Sequence, residues 1–375
     1  MTSIGDVDTL FQMLAVAQRK LTPGAWDYLM GGAETETTLN RNRRALDSYA
    51  LRARVLRDVS TIDTSTTLFG QKLKLPIVLA PIGSMQDLLE EGGVAPTRAA
   101  ARTGVMHMLS SVCAPGMEDV AKAVDYPKFF QLYVRGDQAW VDDTLKRALA
   151  LGYRAIALTV DRANYGRRER DIAKGHSPTA RKNAAAEVHQ ASFTWKDVER
   201  IRSNVDVPLI LKGIATAEDA EMAVEHGLDG VYVSNHGGRQ LDHAQGSIAA
   251  LPEIVDAVEG RAEIIVDGTI LRGTDIIKAL SLGANAVGMG RAQGIALSAG
   301  GEDAVVRMIE IVEEEMRCAM ALIGAASLSD LGPHCLAPAE PLARNWLESA
   351  FPLVREGYGA PAEEIRDLSL RLSGS

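Results

Sequence analysis

His236 and Arg239 stand three residues apart in SNHGGRQLD, directly after the apolar run GVYV. An imidazole can accept a proton near neutral pH, and a guanidinium can clamp a carboxylate through two parallel hydrogen bonds. Together the two groups can hold and deprotonate a small organic acid. A carboxylate such as Asp161 can orient the imidazole and stabilise its charged form. Lys212 closes another apolar run, PLILKG, where it is either a Schiff-base nucleophile or a fixed positive charge beside an electron-rich cofactor. Two Gly-rich turns, IIVDGTILRGTD and AVGMGRAQG, can hold a phosphate on backbone N–H groups, with Arg291 or Arg272 adding charge. GMGRAQG does not read as a dinucleotide fingerprint, because its last Gly is displaced and it closes the chain's repeat instead of opening it.

These groups need a scaffold that brings them to one place. Eight short apolar, β-branched runs recur: IVLAP from Ile77, MHMLS from Met106, KFFQLY from Lys128, AIALTVD from Ala155, PLILKG from Pro208, GVYVSNH from Gly230, EIIVDG from Glu263 and AVGMGR from Ala286. Amphipathic stretches that end near Gly separate them, as helices would. Strands apolar on both faces and alternating with helices specify a parallel sheet, and eight such units favour a closed (β/α)8 TIM barrel over an open doubly wound sheet. The strand ends then carry Gly83, Ser110, Gln131 with Tyr133, Thr159 with Asp161, Lys212, His236 with Arg239, Asp267, and Gly290 with Arg291. Unpaired buried polar groups cost about 1–3 kcal/mol each, so a polar residue at every strand end reads as one site.

One connection breaks the rhythm. After the fourth strand the chain runs through RANYGRRERDIAKGHSPTARKNAAAEVHQASFTWKD, a polar, Gly- and Pro-punctuated insertion suited to an active-site lid. The expected organisation is a single catalytic domain: an N-terminal helical wrap over residues 1–70, a barrel over 77–325 and a tail over 326–375. The basic segment RNRRALDSYALRARVLRD in the wrap reads as a solvated helix.

Composition narrows the function. With 375 residues and 46% hydrophobic content the chain can bury a large core, and a net charge of -9 argues against a nucleic-acid surface. Acids occupy the amino terminus where a secretory signal would be basic and then apolar, and no run of about 18 apolar residues spans a bilayer. Cys113, Cys318 and Cys335 have no metal or disulfide spacing. We expect a cytoplasmic protein with no metal, no nucleic-acid partner and no membrane contact.

The motif SNHGGRQLD, together with DYLMGGAETETTLNRNRRA, LSS, FFQLYV, ALTVD, GRRE, TWKDVERIR, LKGI, TAEDA and RGTD, resembles the FMN-dependent 2-hydroxy acid oxidases and dehydrogenases, and the likeness covers nearly the whole chain. The resemblance implies an FMN cofactor and a small 2-hydroxy acid substrate, oxidised to the 2-oxo acid, with oxygen or another acceptor reoxidising the flavin. It implies His236 as base, paired with Asp161. Tyr28, Arg168 and Arg239 would hold the substrate carboxylate, and Tyr133 its hydroxyl. Around the flavin it places Pro81, Ile82, Gly83, Ser110, Gln131, Thr159, Ser234, Lys212, Asp267, Gly268, Thr269, Leu271, Gly290 and Arg291, with Lys212 beside the edge that gathers charge on reduction. Relatives are often tetramers or octamers, so a homo-oligomer is expected. Thr269 and Leu271 stand where the family usually has Gly and Arg, which removes one phosphate-gripping guanidinium. Gly83 replaces a frequent Ala, and Val112 replaces the Trp of glycolate oxidase, which implies a roomier pocket. A non-redox FMN barrel of the isopentenyl diphosphate isomerase type and a flavin-free scaffold are the alternatives.

Overall fold

A computed structural model describes residues 7–182 and 187–352. Its centre is eight strands, one for each apolar run: β1 (Ile77–Leu79), β2 (Met106–Ser110), β3 (Phe129–Leu132), β4 (Ala155–Thr159), β5 (Leu209–Ile214), β6 (Gly230–Val233), β7 (Glu263–Val266) and β8 (Ala286–Met289). They pair in chain order, all parallel, and β8 closes on β1 with Val287 opposite Ile77 and Met289 opposite Leu79. The fold is the expected (β/α)8 barrel, and the open sheet is excluded. Each strand is apolar throughout because each is buried twice. Val78, Met106, Met108, Phe129, Ile210, Tyr232 and Ile265 fill the barrel's interior, while the alternate residues pack on the helical ring.

The amino-terminal end of the barrel is plugged by a hairpin, Thr66–Leu68 with Gln71–Leu73, that the sequence pattern does not announce. Leu68, Phe69 and Leu73 enter the barrel core, and the Phe69 ring meets Phe129 edge-on at 5.8 Å. Burying one such ring contributes about 1.5–3 kcal/mol. The plug leaves only the opposite, carboxyl-terminal end of the barrel open.

Three N-terminal helices precede the barrel; the first packs on Arg291–Ile323, and the second and third reach the lid and the loops of the open end. Thr9 caps Leu10–Lys20 in a reciprocal arrangement with Gln12, Pro23 opens Pro23–Met30 at a position that needs no N–H, and Thr37–Asp47 follows. The basic segment differs from the solvated helix expected of it. Arg43 is 4% exposed and ion-paired with Asp275 at 2.7 Å and Asp47 at 2.9 Å, and Asn42 is fully buried. This face of the helix is turned to the loops after β6 and β7, so its polar groups serve as ties and do not meet water. Among the described residues after 325, Leu336–Pro338 pairs antiparallel with Tyr49–Leu51, and Trp346–Ala350 packs on Thr37–Asp47; the rest of the expected tail, 353–375, lies outside the described residues.

The insertion after β4 contributes the short helices Glu169–Ala173, Thr179–Lys182 and Glu187–Ala191. It is latched over the mouth at several points. Arg170 pairs with Glu36 at 2.6 Å, Lys174 with Asp27, and the Thr179 N–H donates to Asp87 Oδ2 at 2.9 Å. Gln190 accepts from the Val134 N–H and donates to the Thr159 carbonyl, both at 2.9 Å. Among the described residues no helix is long and apolar enough to cross a membrane.

Candidate active site

Because the strands are parallel, their last residues share one face, and the register places them side by side: Ser110 opposite Gln131, Thr159 opposite Lys212. A polar belt results. Ser110 Oγ donates to Gln131 Oε1 at 2.7 Å, and Gln131 Nε2 donates to Thr159 Oγ1 at 2.8 Å. On the other side Lys212 Nζ donates to Ser234 Oγ at 2.7 Å and to Asp267 Oδ2 at 3.1 Å, while Ser234 Oγ donates to Asp267 Oδ1 at 2.7 Å. All six groups are buried, so the lysine is held as a fixed cation whose charge is balanced by one carboxylate.

Above the belt sits the His236–Asp161 pair. His236 Nδ1 faces both oxygens of Asp161, at 3.0 and 3.3 Å, which leaves Nε2 toward the cavity and 3.1 Å from the Tyr133 hydroxyl. The His236 backbone is left-handed, φ 59°, and the Ser234 hydroxyl anchors its N–H at 3.1 Å. Gly213, at φ 110°, is required beneath, since a Cβ there would come within 2.6 Å of Asp161 Cβ. Burial pushes the His236 pKa down, and Asp161 resists that shift only in part. Burial alone would raise Asp161, but His236 and Lys212 outweigh it and hold the carboxyl below its ordinary value. Burial raises the Tyr133 phenol, which therefore stays protonated as a donor. The loop carrying His236 is tied to the N-terminal wrap by a reciprocal amide pair, Asn42 Nδ2 to Asn235 Oδ1 at 2.9 Å and Asn235 Nδ2 to Asn42 Oδ1 at 2.7 Å.

Two guanidiniums flank the Tyr28 ring, Arg239 at 4.7 Å and Arg168 at 5.9 Å, and the Tyr28 hydroxyl donates to the Gly83 carbonyl at 2.7 Å. Arg239 donates to the Tyr28 and Gly31 carbonyls, whereas Arg168 Nε is buried without a partner. Among the described residues neither is ion-paired with a carboxylate. Burial, and then the charge of Arg239, pull Arg168 down to about 10. Two facing cations with no counter-ion form a site shaped for an anion.

The remaining wall of the cavity runs from Ala80, Pro81, Ile82 and Gly83 after β1 to Asp267, Gly268, Thr269 and Ile270 after β7 and Gly290 and Arg291 after β8. This end fits a phosphorylated group. A Cβ on Gly290 would meet nothing nearer than Ala80 Cβ at 3.9 Å, so the protein's own packing does not require a glycine there. Thr269 Oγ1 and Arg291 Nε are buried without partners, and a helix that runs from Arg291 to a kink at Gly300 and Gly301 begins at this point. Burial, and then the charge of Arg239, lower Arg291 to about 9. The other Arg291 nitrogens donate to the Gly237 carbonyl at 2.9 Å and the Gly31 carbonyl at 2.8 Å.

Two expectations need correction. Leu271, expected at the cofactor, is fully buried in the apolar core with its N–H committed to Asp275 Oδ2 at 3.0 Å, because the loop after β7 turns it inward to seat the buried Arg43–Asp275 pair. Arg272, a candidate source of phosphate charge, points away: it pairs with Glu315 and covers the Phe11 ring at 5.3 Å. Arg291 is left as the guanidinium of that end. Ser110, Gln131, Thr159 and Ser234 do not line the cavity themselves but lie buried in the belt at the strand ends, Ser234 bonded to the lining residues Lys212 and Asp267. The sequence reading missed Arg162, Tyr165, Pro178 and Arg181, which the lid contributes to the cavity; their only sequence signal was a basic, aromatic cluster inside the insertion.

A family model described as FMN-dependent dehydrogenase matches residues 17–338. The chain is 38% identical to glycolate oxidase 1 of Oryza sativa subsp. indica, over 91% of this chain and 99% of that protein. It is 40% identical to an L-lactate dehydrogenase of Pseudomonas aeruginosa (strain LESB58), over 86% and 96%. A crystal structure of mandelate oxidase superposes with a TM-score of 0.83 at 37% identity, covering 90% of this chain and all of that one. A mandelate oxidase variant carrying a C4a-OH-FMN adduct matches with a TM-score of 0.82 at 38% identity, over 88% and 99%.

Proposed function

The chain belongs to the FMN-dependent dehydrogenase family, and from that premise we propose that its barrel mouth oxidises an L-2-hydroxy acid to the 2-oxo acid with His236 as the proton acceptor. FMN is the cofactor, and 2-hydroxy acid oxidation is the chemistry of the family. The relatives do not favour the non-redox or scaffold alternatives. Bound FMN supplies a two-electron acceptor. Pro81 to Gly83 and the Ser110–Gln131–Thr159 belt would face its ring system, Ser234, Asp267 and Gly268 its ribityl chain, and Thr269, Gly290 and Arg291 its phosphate.

The observation that carries the reading is the Asp161–His236–Tyr133 chain beside two guanidiniums that lack a counter-ion. Arg168 and Arg239 bind the substrate carboxylate, and the Tyr28 ring between them keeps both in place. The substrate hydroxyl displaces the Tyr133 contact and reaches His236 Nε2. Nδ1–H stays on Asp161, which fixes the tautomer and stabilises the imidazolium when Nε2 takes the proton. Lys212 holds positive charge under the site where electrons arrive, and the latched lid excludes water from the ion pairs. A cytoplasmic homo-oligomer, tetramer or octamer, belongs to the same proposal and is read by size-exclusion chromatography.

The test is an anaerobic panel of L- and D-2-hydroxy acids mixed with the purified yellow enzyme, followed by air. Bleaching of the flavin by L-acids with release of the 2-oxo acid is expected, and recovery of colour in air reads oxygen as acceptor. A flavin that dithionite reduces but no 2-hydroxy acid does would refute the function.

A further inference from the structure

The lid adds a second cationic site to the cavity. Arg162 lies over the Tyr133 ring at 4.9 Å and over the Tyr165 ring at 5.1 Å, and Arg181 covers Tyr165 at 4.5 Å. Arg168 covers that same Tyr165 ring at 4.3 Å. Three guanidiniums therefore surround one phenol, whose hydroxyl is itself buried without a hydrogen-bond partner. All four residues line the cavity that holds His236. Among the described residues Arg162 and Arg181 have no carboxylate partner, although acids outnumber bases by 49 to 40 in the chain and elsewhere on the lid Arg167, Arg170 and Lys174 are each ion-paired.

Half-burying like charges against each other is unfavourable unless an anion arrives to separate them. The substrate carboxylate already has the fork at Tyr28. Arg162 lies over Tyr133, the ring whose hydroxyl meets His236 Nε2, and Arg162 and Arg181 share the Tyr165 ring with Arg168. That is where the side chain of a 2-hydroxy acid would extend once its carboxylate is seated between Arg168 and Arg239. Val112 and Ile82 also border the cavity, so the wall leaves room for a side chain longer than a methyl.

Resting on the proposed function, we propose that Arg162 and Arg181, with the Tyr165 hydroxyl, form a subsite for a second anionic group, and that the preferred substrate is a 2-hydroxy acid with a carboxylate or phosphate at the far end of its side chain. The two sources of negative charge share the same recognition, bidentate hydrogen bonds from planar guanidiniums, and differ in the charge and number of acceptor oxygens they present.

The experiment measures anaerobic flavin reduction by stopped flow with L-2-hydroxyglutarate, L-malate and 3-phospho-L-glycerate, each against the neutral-tailed L-2-hydroxyhexanoate. The wild-type enzyme should prefer at least one dianionic substrate over hydroxyhexanoate by roughly ten- to a hundredfold in kcat/KM, the range of a charge-assisted hydrogen bond. Preference for phospho-glycerate over both diacids identifies the phosphate source, and the reverse order the carboxylate. Arg162→Met and Arg181→Met should each lower kcat/KM for the dianion far more than for hydroxyhexanoate, chiefly through KM, and Arg162→Lys should restore part of the loss. Equal or faster reduction by hydroxyhexanoate in the wild type, or an equal loss on both substrates in the Met variants, overturns the subsite while leaving the 2-hydroxy acid reading intact. If neither kind of acid reduces a flavin that dithionite reduces, the functional reading falls and the subsite with it.

Discussion

Replacing Asp161 by Asn tests the charge logic of the site with little change of shape. The substitution removes the negative charge that faces His236 Nδ1 at 3.0 and 3.3 Å. Burial is the largest influence on His236 and disfavours its protonated form, as do Lys212 and Arg168, and Asp161 opposes them. A hydrogen bond to a charged group contributes about 1.5–3 kcal/mol, and a tenfold rate change corresponds to about 1.4 kcal/mol, so the rate of flavin reduction should fall roughly ten- to a hundredfold. The sign of the pH effect follows from the same groups. His236 must be neutral to accept a proton and its pKa already lies below the ordinary 6.5, so the acid limb of kcat/KM in the wild type falls below that value. Without Asp161 the imidazolium is still less favoured, and the limb moves further to acid while the plateau drops. Anaerobic stopped-flow reduction across pH, at fixed ionic strength, reads both. An acid limb that moves upward in Asp161→Asn, or a plateau that does not fall, would refute the reasoning.

Gly290→Ala should fold with the stability of the wild-type apoprotein, since the new Cβ meets only Ala80 at 3.9 Å, yet it should retain FMN about tenfold or more less tightly, in keeping with about 1–3 kcal/mol for overpacking. Flavin absorbance against protein after dialysis checks this, and equal FMN content would contradict it. Asp275→Asn removes the carboxylate whose two oxygens Arg43 bonds at 2.7 and 2.8 Å and leaves the buried guanidinium with Asp47 alone, and it should cost about 1.5–3 kcal/mol in urea unfolding. Burial would raise the Asp275 pKa, but Arg43 outweighs it and holds it below the ordinary carboxylate value. The pair's contribution is therefore complete above the unfolded pKa of about 3.9 and is lost as pH falls through the lower folded value. That acid-side loss should be missing from the variant, and its persistence would show that another carboxylate is responsible.

The barrel was legible because strands buried on both faces leave unbroken apolar runs, and each of the eight runs became a strand. The hairpin at Thr66–Leu73 was not, since three-residue strands with outward Thr and Lys show no period, and its apolar residues have meaning only beneath a closed barrel. Arg43 was misread because a charge run does not reveal which guanidinium finds a buried carboxylate, here one 232 residues away. His236 and Arg239 could be singled out from their place after β6. Their neighbours Arg162, Tyr165 and Arg181 could not, because an irregular lid offers no periodicity from which to derive the direction of a side chain.

His236 accepts the proton as a 2-hydroxy acid gives two electrons to FMN. That role is tested most directly by His236→Asn, purified yellow and mixed anaerobically with the best L-2-hydroxy acid of the panel. The variant should show normal FMN content and normal reduction by dithionite, with reduction by the hydroxy acid slowed about a hundredfold or more, the usual range for losing a general base. Reduction at the wild-type rate would contradict it.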